Sequence, residues 1–304
     1  MSSSPFVFDR RLHRLHRDRA AGRFESFSFL KDNAADDLAE SLEAVTRSFD
    51  LALDLGAHGG QTRAAIMARP TLASRIGHWI SSDLSPAFAS RLGTGAVVAS
   101  EEQLPFAPQS FDLVTSTLAL HWVNDLPGAL IQIRMVLRPD GFFIGQLLGG
   151  ATLNELRSCL IDAETEIRGG AAMRVSPFAD VQDMAGLMQR AGFALPVADT
   201  QTLTVRYSNP FRLFEDLRGM GETSAPADSN APPLTRAILM RAMSLYQQRH
   251  SDPDGRMRAT FEILTVSGWA PAPDQPKPLR PGSAKSRLSD ALGVPEHKAG
   301  DKAG

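Results

Sequence analysis

Carboxylates and glycines at the ends of apolar runs carry most of the chemistry available to this sequence. The run Leu51-Ala52-Leu53-Asp54-Leu55 passes directly into Gly56-Ala57-His58-Gly59-Gly60, and glycines at such a place let a backbone approach a ligand closely at a helix N-terminus. Asp83 closes the next apolar run, where a carboxylate can accept hydrogen bonds from both hydroxyls of a ribose. A third acidic segment, Glu101-Glu102-Gln103-Leu104-Pro105-Phe106, precedes Ser110-Phe111-Asp112, and Thr117, His121 and Trp122 follow the run that begins there. His121 has the chemistry of a base and Trp122 that of an aromatic wall. The glycine spacing is not that of a dinucleotide binder.

These residues meet only if the runs that carry them lie side by side. Phe6 to Leu30 and Asp36 to Phe49 read as two leading helices, the second from Leu38, Leu42 and Val45 at helical spacing. Apolar runs at 51–55, 78–82, 96–99, 111–116 and 142–145 predict strands, with helices over 62–69, 86–92 and 126–137 between them. Arg138-Pro139-Asp140-Gly141 predicts a turn. Strands separated by helices of this size form a parallel sheet with right-handed crossovers. The expected fold is therefore α/β, a Rossmann-like, doubly wound, mostly parallel sheet that binds ligands beyond the carboxyl ends of its strands, where strand order reverses.

Beyond Gly149-Gly150 the pattern predicts helices over 153–167, 179–191, 210–218 and 234–249, strands at 202–207 and 260–266 with an antiparallel hairpin as the sheet edge, and a polar loop over 226–233. From Pro271 onward the composition turns to Pro, Lys, Gly and Ser, which cannot bury enough surface to offset the entropy of ordering. The expected division is cap helices over 1–48, a domain over 49–270 with halves 49–150 and 151–270, and a disordered tail over 271–304.

Composition excludes several classes of function. The formal net charge is −2, so no overall basic field points to nucleic acid as a partner. Cys159 stands alone, which leaves no intramolecular disulfide and suits a reducing compartment. No apolar stretch approaches the roughly 20 residues that span a bilayer, and a soluble protein without an integral membrane segment is expected. Arg10, Arg11, Arg14, Arg17, Arg19 and Arg23 make the N-terminus resemble a transit peptide in composition, but Asp9, Asp18 and Glu25 interrupt it, and it reads as a solvated cap over the ligand site.

Taken in order, Asp54 to Gly60, Asp83, and the acidic Leu104-Pro105-Phe106 segment before Ser110-Phe111-Asp112 resemble the class I S-adenosylmethionine-dependent methyltransferase family. The resemblance implies S-adenosyl-L-methionine as cofactor, with Gly56 and Gly60 beside its methionine part, Asp83 on the ribose and Glu101 or Glu102 near the adenine. Asp54, His58, Leu84 and Thr117 complete the expected cofactor set, and His121 and Trp122 are the catalytic candidates. No metal ligands are expected. More narrowly, Leu120 to Pro127, Leu137 to Gly141, Gly149 to Arg157, Ser176 to Phe178 and Glu215 to Glu222 resemble the mitochondrial complex I assembly factor 5 family and its bacterial relatives, and more distantly malonyl-carrier-protein methyltransferase, over most of residues 6–292. Two positions depart from the family pattern: its middle glycine is His58 here, and the acidic residue usual before the Leu-Pro-Phe segment is Ser100.

Three functions stay open on this reading. One is a methyltransferase-like protein that binds S-adenosylmethionine and acts on a protein substrate such as a complex I subunit. Another is an arginine hydroxylase-like modifier of such a subunit. The third is a non-catalytic assembly factor whose cofactor site has degenerated at His58 and Ser100. The implied location is the cytoplasm of a bacterium or the mitochondrial matrix of a eukaryote.

Overall fold

Neighbouring residues of the central strands feed two different cores, as a sheet covered on both faces requires. Leu53, Val114 and Phe143 pack with Leu130 and Ile133 on one side, while Ala52, Leu113 and Ile144 pack with Leu38, Leu42 and Ile66 on the other. The computed structural model describes residues 6–228, 231–273, 275 and 293. The expectation of a disordered tail falls almost entirely outside the described residues.

The strands are β1 (Phe49–Leu55), β2 (Ile76–Asp83), β3 (Ala96–Val98), β4 (Phe111–Thr117), β5 (Leu137–Leu148), β6 (Ala194–Tyr207) and β7 (Met257–Trp269). They form one sheet in the order β3-β2-β1-β4-β5-β7-β6. Pairing from β3 through β5 is parallel, and β7 pairs antiparallel with both β5 and β6. Strand order reverses between β1 and β4, so the tips of those two strands open the crevice where this class of sheet binds ligands.

The helices are α1 (Arg10–Ala20), α2 (Phe29–Glu43), α3 (Gln61–Met67), α4 (Pro70–Ala73), α5 (Pro86–Ala89), α6 (Leu126–Val136), α7 (Asn154–Arg168), α8 (Val181–Arg190), α9 (Pro210–Met220) and α10 (Arg236–His250). Side-chain oxygens start several of them: Asp9 accepts from Arg11 and Leu12 N–H at α1, and Asp125 accepts from Gly128 N–H at α6. A third core joins α7 and α10 to β7 through Cys159, Ala163, Ala242, Tyr246 and Phe261.

Several expectations on element boundaries change. The leading helices expected over 6–30 and 36–49 are α1 and α2, the second beginning at Phe29 and ending at Glu43, and Phe49 opens β1 instead of closing a helix. The turn expected over 138–141 is part of β5, taken up as an irregularity where the register shifts between Phe111 and Leu113. The helix expected over 86–92 is the single turn α5. The strand expected over 202–207 begins at Ala194, because β6 pairs with β7 along nearly its whole length and needs little apolar sequence to do so. Among the described residues no helix is long and apolar enough to cross a membrane.

Candidate functional site

The glycine loop after β1 takes a backbone that few residue types tolerate. Gly56 and Gly60 have φ of +70° and +84°, and His58 joins them in the left-handed region at 52°. A Cβ at Gly56 would collide with the side chain of Ala119. That close approach draws the tips of β1 and β4 together.

Asp83 ends β2 with no exposed surface. Its Oδ2 accepts from the His58 N–H at 2.9 Å and its Oδ1 from the Ser85 N–H at 2.8 Å. The guanidinium of Arg17, reaching in from α1, donates to both oxygens, through Nε to Oδ1 at 3.3 Å and through Nη2 to Oδ2. Arg17 Nη1 also meets His58 Nε2. With that donor on Nε2, the ring proton belongs on Nδ1, where it is donated to Gly56 O at 2.8 Å. Burial first, then Arg17 and Lys31, hold the imidazole well below its ordinary pKa, so His58 is neutral.

Lys31 arrives from α2. Its Nζ donates to Gly56 O at 2.9 Å and to Thr117 O, and stands 2.9 Å from His58 Nδ1. Burial lowers its pKa to about 8 against the pull of Asp54, while burial raises Asp54 to about 6 against the pull of Lys31. Asp54 Oδ1 accepts from Thr115 Oγ1 at 3.3 Å, and Thr62 and Thr117 share a hydroxyl contact at 3.0 Å. Asp54 and Thr117 thus sit beneath the glycine loop, where their side chains hold strand tips together.

The two acidic neighbours separate. Glu101 is buried and accepts from Arg10 Nη2, which also reaches Ser100 Oγ at 3.3 Å. Glu102 turns away and accepts from Asn124 N–H at 2.5 Å. Leu84 follows Asp83 and is half-buried.

His121 and Trp122 converge on a residue that sequence reasoning did not select. Glu222 Oε2 accepts from Trp122 Nε1 at 2.8 Å and lies 3.0 Å from His121 Nε2. Burial alone would raise the Glu222 pKa, but His121 and Trp122 hold it below the ordinary carboxylate value, and the carboxyl is ionised. Trp122 is stacked against His13 of α1, with ring centroids 4.4 Å apart.

Two cavities of unlike size share a wall here. A cavity of about 370 Å³ has Trp122, Phe178, Leu153, Phe214, Leu217 and Glu222 in its lining. A void of about 20 Å³ lies against Lys31, His58, Leu118, Met220 and Glu222. Glu222, Leu30 and Leu148 border both. The smaller space has room for about one water molecule.

The acceptors at the crevice are Asp83, a carboxylate that suits the ribose hydroxyls, Glu101, a carboxylate that suits the adenine amino group, and Gly56 O and Thr117 O, carbonyls that suit an ammonium. Arg17, Arg10 and Lys31 engage all four. The donor set fits the cofactor, whereas the space between the strand tips is filled by the protein's own side chains. The expected solvated cap is corrected accordingly, since α1 turns Arg10, His13 and Arg17 inward and Arg17 is 1% exposed. Among the described residues no group of three or more His, Cys, Asp or Glu gathers to hold a metal ion.

Arg17 and Lys31 left weak signals in the sequence. Arg10, His13 and Arg17 recur at helical spacing on one face, and Lys31 interrupts the apolar stripe that continues through Ala34, Ala35 and Leu38. Glu155 and Arg157 are tied into the fold: Glu155 accepts from Thr260 N–H at 3.2 Å, and Arg157 donates to Gly150 O at 3.1 Å.

Comparison with known proteins follows the same lines. The family model described as a methyltransferase domain matches residues 53–145. The Homo sapiens protein named arginine-hydroxylase NDUFAF5, mitochondrial, is 40% identical over 285 residues, covering 91% of this chain and 81% of that one. Its Danio rerio counterpart is 38% identical over 288 residues, covering 93% and 89%. The malonyl-[acyl-carrier protein] O-methyltransferase of Halorhodospira halophila is 33% identical over 269 residues, covering 86% and 88%. Among solved structures, the YcgJ protein of Bacillus subtilis superposes with a TM-score of 0.54 at 15% identity, covering 77% of this chain and 98% of that one. At that identity the likeness speaks for the fold, which is that of the class I S-adenosylmethionine-dependent methyltransferases.

Proposed function

Because the chain belongs to the family of arginine-hydroxylase NDUFAF5 and carries an S-adenosylmethionine-dependent methyltransferase domain, we propose that it modifies an arginine side chain of a protein substrate during respiratory complex I assembly. The observation that carries this reading is Glu222, an ionised carboxylate that borders both the apolar cavity and the strand tips. An arginine side chain has an aliphatic stem and a planar cation. Leu153, Phe178 and Leu217 suit the stem, and a carboxylate held by His121 and Trp122 suits the guanidinium.

S-adenosylmethionine, when bound, supplies a methyl group on a sulfonium, and transfer of that group to a guanidinium nitrogen releases one proton. Asp83 would hold its ribose hydroxyls, Glu101 its adenine, and Gly56 O and Thr117 O its ammonium. His121 donates through Nε2, because its Nδ1 faces the Leu148 N–H at 3.5 Å. It fixes Glu222 so that the carboxylate orients the guanidinium and stands ready to receive the released proton. The apolar side chains of Leu153, Phe178 and Leu217 lower the local dielectric, which strengthens the charge pairing.

The names of the Homo sapiens and Danio rerio relatives favour a second reading, hydroxylation of the same arginine. Mass spectrometry of complex I subunits from a strain lacking the chain separates the two: loss of a methyl group supports transfer, and loss of an oxygen supports hydroxylation. Unchanged subunit masses would overturn both.

A further inference from the structure

The helix α1 docks on the strand tips through a set of buried polar and charged contacts, with Leu12 packed against Phe8 and Trp122 and with Ala20 also buried. Its buried residues are His13, Arg17 and Ala20. Arg10 pairs with Glu101 and donates to Trp122 O at 3.2 Å, His13 stacks on Trp122, Arg17 is bidentate on Asp83, and Asp18 accepts from Ser85 Oγ. Leu15 is exposed. Burial of apolar surface, the term that fastens most helices to a protein, comes here from Leu12 and Ala20, while Arg10, His13 and Arg17 supply the polar remainder. Polar contacts can be replaced one for one by a ligand that offers the same donors.

Such a replacement is available at Asp83, where Arg17 of α1 stands, and at the two carbonyls that Lys31 of α2 occupies. The Arg17 guanidinium presents two N–H donors to Asp83, as a ribose diol would present two O–H donors. The Lys31 ammonium donates to Gly56 O and Thr117 O, as the α-ammonium of the methionine part would. Lys31 stands on α2, whose Leu38, Ala39 and Leu42 lie in the core, so it cannot leave with α1. Its side chain alone must retract.

We infer that this chain occupies its own cofactor site, with Arg17 and Lys31 in the places of the cofactor's ribose and ammonium, and that an adenosyl ligand gains access only by displacing α1 from the strand tips. The inference rests on the reading that the site takes S-adenosylmethionine. A ligand that binds only the withdrawn form has its affinity reduced by the small fraction of time that α1 spends away. The N-terminal helix would therefore set how much cofactor the protein holds, and a partner that captured α1 would load the site.

Two measurements on the full-length protein with S-adenosylhomocysteine test this. Calorimetry should show Arg17→Gln binding about tenfold or more tighter than wild type, since the variant loses the charge that competes for Asp83, with circular dichroism verifying its fold. Hydrogen exchange on the wild-type protein, which does not depend on the variant folding, should show residues 10–20 losing protection at saturating ligand. Ligand binding with unchanged α1 protection, or equal affinity in a folded Arg17→Gln, overturns the inference and leaves the cofactor reading intact. Absence of binding by both proteins at millimolar ligand overturns the two together.

Discussion

The guanidinium of Arg17 and the carboxylate of Asp83 face each other across 66 residues of sequence, with two N–H donors on two oxygens. Neither side chain exceeds 1% exposure. An ion pair so far from water gains its stability only while both members are present, because removal of one leaves the other buried and uncompensated. The pair also stands where the expected ribose carboxylate ends its strand, so stability and ligand access draw on the same residue.

Arg17→Ala should therefore lower the unfolding free energy by about 3–5 kcal/mol, whereas the double replacement Arg17→Ala with Asp83→Asn, which removes the uncompensated charge and keeps one acceptor oxygen for the His58 and Ser85 N–H groups, should recover part of that loss. Urea denaturation of the two variants and the wild type measures both. A single variant as stable as the wild type would show that the pair does not hold α1 in place.

Lys31 predicts a pH dependence. Burial lowers its pKa from 10.5 to about 8, so between those values the unfolded chain carries a proton that the folded chain lacks, and stability rises with pH across that window. Below about 8 the cost of burying the ammonium is present in full. Tyr207 and Tyr246, whose phenols burial pushes up, act in the opposite direction at the alkaline end. Lys31→Met should flatten the rise between pH 8 and 10.5 relative to wild type, as read from urea midpoints, and equal slopes would remove Lys31 from the balance.

The sheet was legible because its signals are local. Asp54, Gly56 and Asp83 stand at the ends of short apolar runs, and a doubly wound order places those ends together whatever the side chains beyond them do. The plug was not legible, because it depends on contacts such as Arg17 with Asp83 and Glu222 with His121, the latter 101 residues apart. A basic helix interrupted by Asp9 and Asp18 has the composition of a solvated face, and only the fold shows which side of it turns inward. Glu101 and Glu102 stayed equal candidates for a similar reason: adjacent residues share every compositional argument, and only the fold shows that Asn124 on a later loop engages Glu102.

Gly56→Ala tests the joint between strand tips. The substitution meets two obstacles, a φ of +70° and the Ala119 side chain against which the new Cβ would collide. Positive φ at a non-glycine residue costs on the order of 1–2 kcal/mol, and overpacking adds about 1–3 kcal/mol. The expected outcome is a loss of several degrees in Tm together with loss of S-adenosylhomocysteine binding. A variant with the wild-type Tm would mean that the β1 and β4 tips are not in contact at this point.

Glu222→Gln separates the charge of the cavity carboxylate from its shape. The amide oxygen of glutamine still accepts from Trp122 Nε1 and His121 Nε2, so the contacts at 2.8 and 3.0 Å have a replacement and the fold should hold within about 1 kcal/mol. The cavity keeps its walls and loses its anion. A hydrogen bond from a guanidinium to a carboxylate is worth about 1.5–3 kcal/mol, so arginine modification in a complemented deletion strain should fall roughly 10- to 100-fold. Glu222→Asp keeps the charge but withdraws it by one methylene, and partial recovery there would assign the loss to charge placed at a distance. Full modification by Glu222→Gln would show that the substrate's cation is received elsewhere, and His121 and Trp122 would then have only a packing role beside the cavity.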